Sequence, residues 1–599
     1  MIKIIKNLYF ILSHRERQHL FVLVAMISSM AVLDALGVAS ILPFMAVLTN
    51  PELVQTNNFL NWAFRLSHSV GVETTNQFLF VLGVMVLVLF VAALMFKVVT
   101  TYAQTKFALM CESNISSRLV EAYLRQKYSW FLGQNSAELG KAILTEVHVA
   151  VDSGLLPLMT AFAQGAVTLS ILALLVVVDG SLAIAIGLTL GGLYLTIYFS
   201  MSGWLKRLGH LRIKANQARF KLVSEAFGAI KEIKVAGLEV IYTKHFRKAA
   251  NDHANGQAMS RIIGQLPRFV LEAIAFGGLL LILLYKFSSS QGVVEALPIM
   301  ALYALAGYRL MPALQQIYQA FTQLRFVGPA LDTLVSDLNN RSPKNQPYDA
   351  ACDIKLKKEI KLDGVSYAYP DTTQPALKEL SFIISAGSKV GFVGPTGSGK
   401  TTVLDVILGV LAPQHGTLSV DGLTISERNL RSWQRAIGYV PQDIYLLDDT
   451  IAANIAFCAN ANDIDLNNVE RAAKLAHLHE FVTHTLPDAY STMVGERGVR
   501  LSGGQRQRIG IARALYQCPQ ILILDEATSA LDNVTEHKVM ESINSLGSDI
   551  TIILIAHRLS TVRQCDEIYL LVDGQIAASG TYDRLVKSSE TFAALAAET

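Results

Sequence analysis

Val390-Gly-Phe-Val-Gly394-Pro395-Thr396-Gly397-Ser398-Gly399-Lys400-Thr401 decides how the C-terminal half of this chain must fold. Its last eight residues fit G-x-x-x-x-G-K-[ST], a phosphate-binding loop. The apolar run Val390 to Val393 supplies the strand before it, and Thr402 to Leu408 the helix after it, the context that gives the motif meaning. Glycines at these spacings let backbone N–H groups wrap phosphate oxygens at a helix N-terminus. Residues Gly394 through Thr402 are therefore the candidate cradle for a nucleotide. Lys400 would reach the β- and γ-phosphates, and the Thr401 hydroxyl would ligate Mg²⁺.

A second strand, Ile521-Leu-Ile-Leu, ends on Asp525-Glu526. Four apolar residues suit a buried strand that delivers Asp525 to the metal and sets Glu526 where a general base for attacking water belongs. Two acids ending a strand are common. Leu501-Ser502-Gly503-Gly504-Gln505, shortly upstream, is not.

With these residues the chain resembles an ABC ATPase domain across residues 359–599. The resemblance implies roles for further positions. Tyr369, in Tyr367-Ala-Tyr-Pro370, matches the aromatic that stacks on adenine. Gln442 matches the glutamine that touches Mg²⁺ and the attacking water. Gly495-Glu-Arg-Gly498 resembles the exporter loop that contacts the membrane domain. Ser529-Ala-Leu-Asp532 resembles the loop carrying Asp532, and His557 the histidine that contacts the γ-phosphate. In this family ATP lies between the phosphate loop of one subunit and the Ser502-Gly503-Gly504-Gln505 face of another, so the resemblance implies a homodimer with two competent ATP sites.

The N-terminal half reads differently. The whole chain is 52% hydrophobic and only 17% charged, with mean hydropathy +0.38. That is a mixed membrane and soluble composition. Apolar segments near 20–48, 78–105, 155–178, 181–203, 269–287 and 293–314 each approach the ~20 residues that cross a bilayer. Basic residues crowd three places: residues 1–19, the 106–141 connection and the 204–248 connection. The positive-inside rule puts these in the cytoplasm, giving six spans with both ends inside. The expected architecture is an all-α transmembrane exporter domain (1–338), a polar linker (339–358) and an α/β phosphate-loop ATPase domain (359–599). The net charge of +3 argues against a nucleic-acid partner. The scattered cysteines show no metal spacing. Residues 1–19 leave no room for the leader-cleaving protease domain of a peptide exporter. Residues 130–139 and 239–246 lie where exporters place their coupling helices.

Charges inside the spans bear on cargo. Asp34, Lys97, Arg268 with Glu272, and Arg309 each cost on the order of 2.5–3.5 kcal/mol near a bilayer centre unless paired or wet. Lys97, Arg268 and Arg309 are the candidate substrate residues of a cationic cavity. Arg268 and Glu272, four apart on one helix, could equally be an internal pair. In the first outer loop Phe59, Leu60, Trp62, Ala63, Phe64 and Leu66 fall on one helical side, as in an interfacial helix or equally a hydrophobic plug that caps the bundle. Pro267-Arg268, Leu271-Glu272, Tyr308-Arg-Leu-Met-Pro312 and this outer helix resemble the bacterial lipid-linked oligosaccharide flippases. The resemblance implies ATP-driven flipping of a polyprenyl-pyrophosphate-linked glycan across the inner membrane. A lipid A-like or multidrug exporter is the alternative. Lys97 departs from the arginine of that branch, keeping the charge but not the two-pronged grip on phosphate.

Overall fold

The computed structural model describes residues 1–67, 72–178, 180–288, 293–340, 354–370, 372, 374–457, 461–526, 533–544, 550–556 and 559–597. They form two compact units. One comprises Met1–Gln126 and Gln134–Pro343, the other Lys127–Gly133 and Lys344–Thr599. The expected linker falls largely outside the described residues.

The N-terminal unit is helical. Thr75–Leu124, Gly180–Gly228, Glu239–Ser288 and Val293–Asn340 are helices of 50, 49, 50 and 48 residues. The polar stretches read as connections are thus mostly continuations of the spans. The reason is visible in Lys106 to Leu124, which holds no glycine or proline to end the helix. Its buried positions Ala108, Cys111, Ile115, Leu119 and Ala122 keep to one stripe at helical spacing.

The first apolar segment, expected as one span to residue 48, is instead broken. His14–Ala39 ends at Ser40 and a new helix runs Ile41–Thr49. Pro43 explains the break: it has no N–H to give the preceding turn, and it sits in the first turn of the new helix, where that donor is not needed. By length and apolarity, His14–Gly37, Thr75–Leu124 and Ser136–Val176 could cross a membrane among the described residues. The remaining expected spans lie on helices many of whose side chains fall outside the description.

Two π-helical turns, Ala142–Glu146 and Val151–Leu155, lead into the Leu156–Val178 helix. Near them the Arg212 guanidinium meets Glu146 Oε2 at 2.8 Å, with the side chains only 1% and 5% exposed. Gly209, one turn earlier, allows the close approach that buries Arg212. A Cβ there would stand 2.3 Å from the Phe326 carbonyl oxygen.

The C-terminal unit holds two sheets. Strands β1 (Glu359–Tyr367), β2 (Leu377–Ser385), β4 (His415–Val420) and β5 (Leu423–Thr424) form an antiparallel sheet in the order β2-β1-β4-β5. Strands β3 (Lys389–Val393), β6 (Ile437–Val440), β7 (Ile521–Asp525), β8 (Thr551–Ile555), β9 (Glu567–Val572) and β10 (Gln575–Gly580) form the other, ordered β10-β9-β3-β8-β7-β6. Strands β9, β3, β8, β7 and β6 run parallel. Every residue of β7 and β8 is buried, as parallel strands covered on both faces require. β3 lies between β9 and β8, and its carboxyl end opens the phosphate loop, the usual place for a ligand in an open α/β sheet.

Candidate active site

β3 hands the chain to a loop that is crowded against its neighbours at its first and last glycines. Gly394 has φ +150° and a Cβ there would fall 2.1 Å from the Leu571 carbonyl oxygen. At Gly399, with φ +99°, it would fall 2.8 Å from that of Ala376. The Lys400–Ile407 helix follows. Lys400 is 6% exposed and its Nζ donates to the Gly394 and Pro395 carbonyls at 2.8 and 3.0 Å. Burial holds its pKa below the usual lysine value, against the pull of Glu526 and Asp525. The buried Ser398 hydroxyl has no hydrogen-bond partner among the described residues. Such an orphan, beside an ammonium held only by loop carbonyls, fits the arrival of phosphate oxygens.

Asp525 ends β7 at 4% exposure. Glu526 follows with φ +50°, a left-handed backbone that costs a non-glycine residue roughly 1–2 kcal/mol. The turn is held by a bond from its N–H to the Ile555 carbonyl at 3.1 Å, and it aims the carboxylate away from the strand. Gln442 Nε2 donates to Glu526 Oε2 at 2.8 Å. Lys400, Asp525, Glu526 and Gln442, far apart in sequence, thus come together. No group of three or more His, Cys, Asp or Glu side chains that could hold a metal occurs among the described residues. Mg²⁺ is typically held by one or two protein oxygens plus the substrate's phosphates, a donor set that Asp525 and Gln442 can supply.

Tyr369 stands at the edge of this site. Its hydroxyl lies 3.0 Å from Thr402 Oγ1, and its ring makes a T-shaped contact with Tyr367 at 5.3 Å. Ser502 caps the Gly503–Tyr516 helix in a reciprocal box. Its Oγ accepts from the Gln505 N–H at 3.2 Å, and its N–H donates to Gln505 Oε1 at 2.7 Å. The serine and glutamine of that motif thereby shape the helix N-terminus, leaving the Gly503 and Gly504 backbone as its open face. His557 and Asp532 lie outside the described residues.

Asp405 is a member of the site that sequence reading missed. Burial and then the neighbouring Asp525 push its carboxyl up to about 6. The available signal was a lone acid in the apolar run Val403 to Leu408. Tyr128, on the short helix Tyr128–Phe131, belongs to this same unit. Burial, Asp405 and Tyr369 raise its phenol pKa, and neighbouring Lys127 pairs with Glu427 at 2.5 Å. The expected coupling helix at 130–139 is therefore divided. Residues 127–133 group with the C-terminal unit and residues from 134 with the other. Its counterpart at 239–246 is the start of the Glu239–Ser288 helix, which follows Gly237 in a left-handed turn.

Of the candidate cargo residues, Lys97 is half-buried, and the Arg309 side chain lies outside the description. Arg268 Nε donates to Glu272 Oε1 at 2.7 Å, with side chains 55% and 49% exposed, so the internal pair is formed. Asp34 is buried. In the outer helix Asn58–Ser67, Leu60 is buried and Phe64 packs edge-on to Phe78 at 5.2 Å. Phe59, Trp62 and Leu66 remain exposed.

Residues 377–529 match the family described as ABC transporter, and residues 21–305 match its transmembrane region. The ATP-dependent lipid A-core flippase of Ralstonia nicotianae is 31% identical over 80% of this chain and 81% of its own length. That of Saccharophagus degradans is 32% identical over 81% of each. ABC transporter B family member 29, chloroplastic, of Arabidopsis thaliana is 30% identical over 80% of this chain and 76% of its own. Among solved structures, that of a bacterial Atm1-family ABC exporter with ATP bound superposes with TM-score 0.78 at 22% identity. The match covers 97% of this chain and 98% of that one.

Proposed function

Because this chain belongs to the ABC transporters, with membrane and ATPase domains fused in one exporter polypeptide, we propose that its cargo is a phosphorylated glycolipid. On this reading ATP hydrolysis drives the lipid from the inner to the outer leaflet of a bacterial inner membrane. The observation that carries the proposal is Arg268 at the cytoplasmic edge of the fifth expected span, half exposed and paired with a neighbouring carboxylate that an anionic head group can replace. The names of the bacterial relatives favour a lipid A-core-like cargo over the polyprenyl-pyrophosphate-linked glycan. The second reading keeps one specific support: the exposed Phe59, Trp62 and Leu66 of the outer helix, an apolar face suited to a long lipid tail at the outer surface.

At the nucleotide site the residues have separable roles. The phosphate-loop N–H groups and Lys400 hold the β- and γ-phosphates of ATP, and Tyr369 meets the adenine. Thr401, Asp525 and Gln442 would hold Mg²⁺, which when bound neutralises phosphate charge. Glu526 takes the proton of the attacking water, and Gln442, already bonded to Glu526, holds that carboxylate in place. His557 and Asp532 complete the assignment, with Ser502 to Gln505 of a second copy closing the site.

The test is reconstitution into proteoliposomes with labelled lipid A-core and labelled polyprenyl-linked glycan, following exposure of each to an outside enzyme with and without ATP. ATP-dependent exposure of neither would overturn the proposal, and exposure of the glycan alone would favour the second reading.

A further inference from the structure

An arginine at head-group depth faces a problem of competition. A bilayer presents anionic phosphodiester lipids, such as phosphatidylglycerol, at far higher local concentration than a scarce cargo. Each carries one negative charge, and a bare guanidinium attracts them all. Arg268 is not bare. Glu272, one turn further along the same helix, accepts from its Nε at 2.7 Å, and Glu272 is its partner among the described residues. Pro267, inside the helix, immediately precedes the pair. Both side chains are about half exposed, so the pair is reachable from outside the unit.

We propose that Glu272 is a specificity-determining residue: a tethered counter-ion that keeps bulk phosphodiester lipids off Arg268 and yields only to a more highly charged head group. A carboxylate fixed at i+4 competes at high effective concentration. A monoanionic phosphodiester brings no more charge than Glu272 already supplies, so it gains little by displacing the carboxylate. A phosphomonoester carries about −1.5 to −2 near neutral pH, and a pyrophosphate also presents many acceptor oxygens. Either can take the guanidinium through two parallel bonds. The pair itself is cheap to open, since an exposed ion pair contributes roughly 0–1 kcal/mol. The filter therefore costs the true cargo little while removing the advantage of abundant weak competitors. This inference rests on the phosphorylated-lipid reading above, and sharpens it by naming the charge state of the cargo's phosphate.

The experiment measures equilibrium binding of radiolabelled farnesyl diphosphate to the full-length protein in nanodiscs. The nanodiscs contain phosphatidylethanolamine alone or phosphatidylethanolamine with phosphatidylglycerol. The parent protein is expected to bind with an affinity that phosphatidylglycerol barely changes. Glu272→Gln is expected to bind roughly 2- to 5-fold tighter without phosphatidylglycerol, the factor an exposed pair can supply, and to lose most of that gain when it is present. If Glu272→Gln does not assemble, Glu272→Asp, its carboxylate drawn back by one methylene, should show intermediate sensitivity. Variants with the parent's affinity in both bilayers overturn the counter-ion role. If Arg268→Gln then still abolishes binding, the phosphorylated-lipid reading survives that failure. Parent binding that is absent, or indifferent to Arg268→Gln, overturns both.

Discussion

Gln442 and Glu526, 84 positions apart, meet through a single 2.8 Å hydrogen bond from amide to carboxylate. The bond holds Glu526 Oε2 on a residue whose backbone is already in a left-handed turn, the fixed placement that the proposed general base needs. Glu526→Gln should bind ATP yet hydrolyse it at least ~10²-fold more slowly, because a positioned general base contributes about 10²–10⁴. Phosphate release measured beside nucleotide binding decides it, and turnover within a few-fold of the parent would move the role elsewhere.

Ser502 caps its helix and lies in the motif expected to close a second copy's site. Ser502→Ala should cost about 1 kcal/mol of stability as a lost cap. Ser502→Arg should abolish hydrolysis while ATP still binds. Mixed with Lys400→Ala subunits, it should restore at most one working site per dimer. Full activity from a verified monomer would rule the composite site out.

The Arg212–Glu146 pair is buried on both sides. Removing one partner strands the other charge, so Arg212→Met should destabilise by about 3–5 kcal/mol, whereas Arg212→Met with Glu146→Leu should cost much less. Thermal unfolding in detergent distinguishes them, and equal losses would mean that the charges are not coupled.

His253 supplies a pH dependence. Burial, then Arg219 and Arg212, hold its imidazole below the ordinary value, with Glu146 opposing. The folded state therefore binds fewer protons than the unfolded chain as pH falls through the ordinary imidazole range. Stability should drop over that window and level off below the folded pKa. His253→Gln should flatten this part of the stability–pH profile. An unchanged profile would assign the acid sensitivity to other groups.

Neutral substitutions of Lys97, Arg268 and Arg309 should reduce lipid flipping more than they reduce basal hydrolysis. Each lost charge-assisted contact is worth roughly 1.5–3 kcal/mol. Lys97→Arg should be tolerated or improve transport, since arginine grips two phosphate oxygens. Flipping and phosphate release, followed in the same proteoliposomes, test this. Normal flipping by all three neutral variants would favour an uncharged cargo.

Much of this was legible in the chain because local chemistry enforces it. The Gly394–Thr401 loop, the buried Ile521–Asp525 strand and the apolar spans are patterns that fold in few ways. The break at Ser40 was missed because the run around it stays apolar across Pro43. That the polar helical stretch from Lys106 to Leu124 runs unbroken from the span before it was not legible, because a polar surface on a long helix resembles a connection. Asp405 escaped because its significance comes from Asp525 on a distant strand, which no spacing reveals.

The long helices have a mechanical consequence. Thr75–Leu124 contains no proline, and 50 residues at about 1.5 Å each make roughly 75 Å of continuous rod. A tilt of about 5° at one end swings the other by some 6–7 Å, so a small stroke at one end of the rod is amplified along its length. Glu239–Ser288 is equally long but carries Pro267 in its interior, where the missing N–H removes one rung of the hydrogen-bond ladder. Of the two rods it is the one with a weakened turn, and Arg268 is the residue next to it.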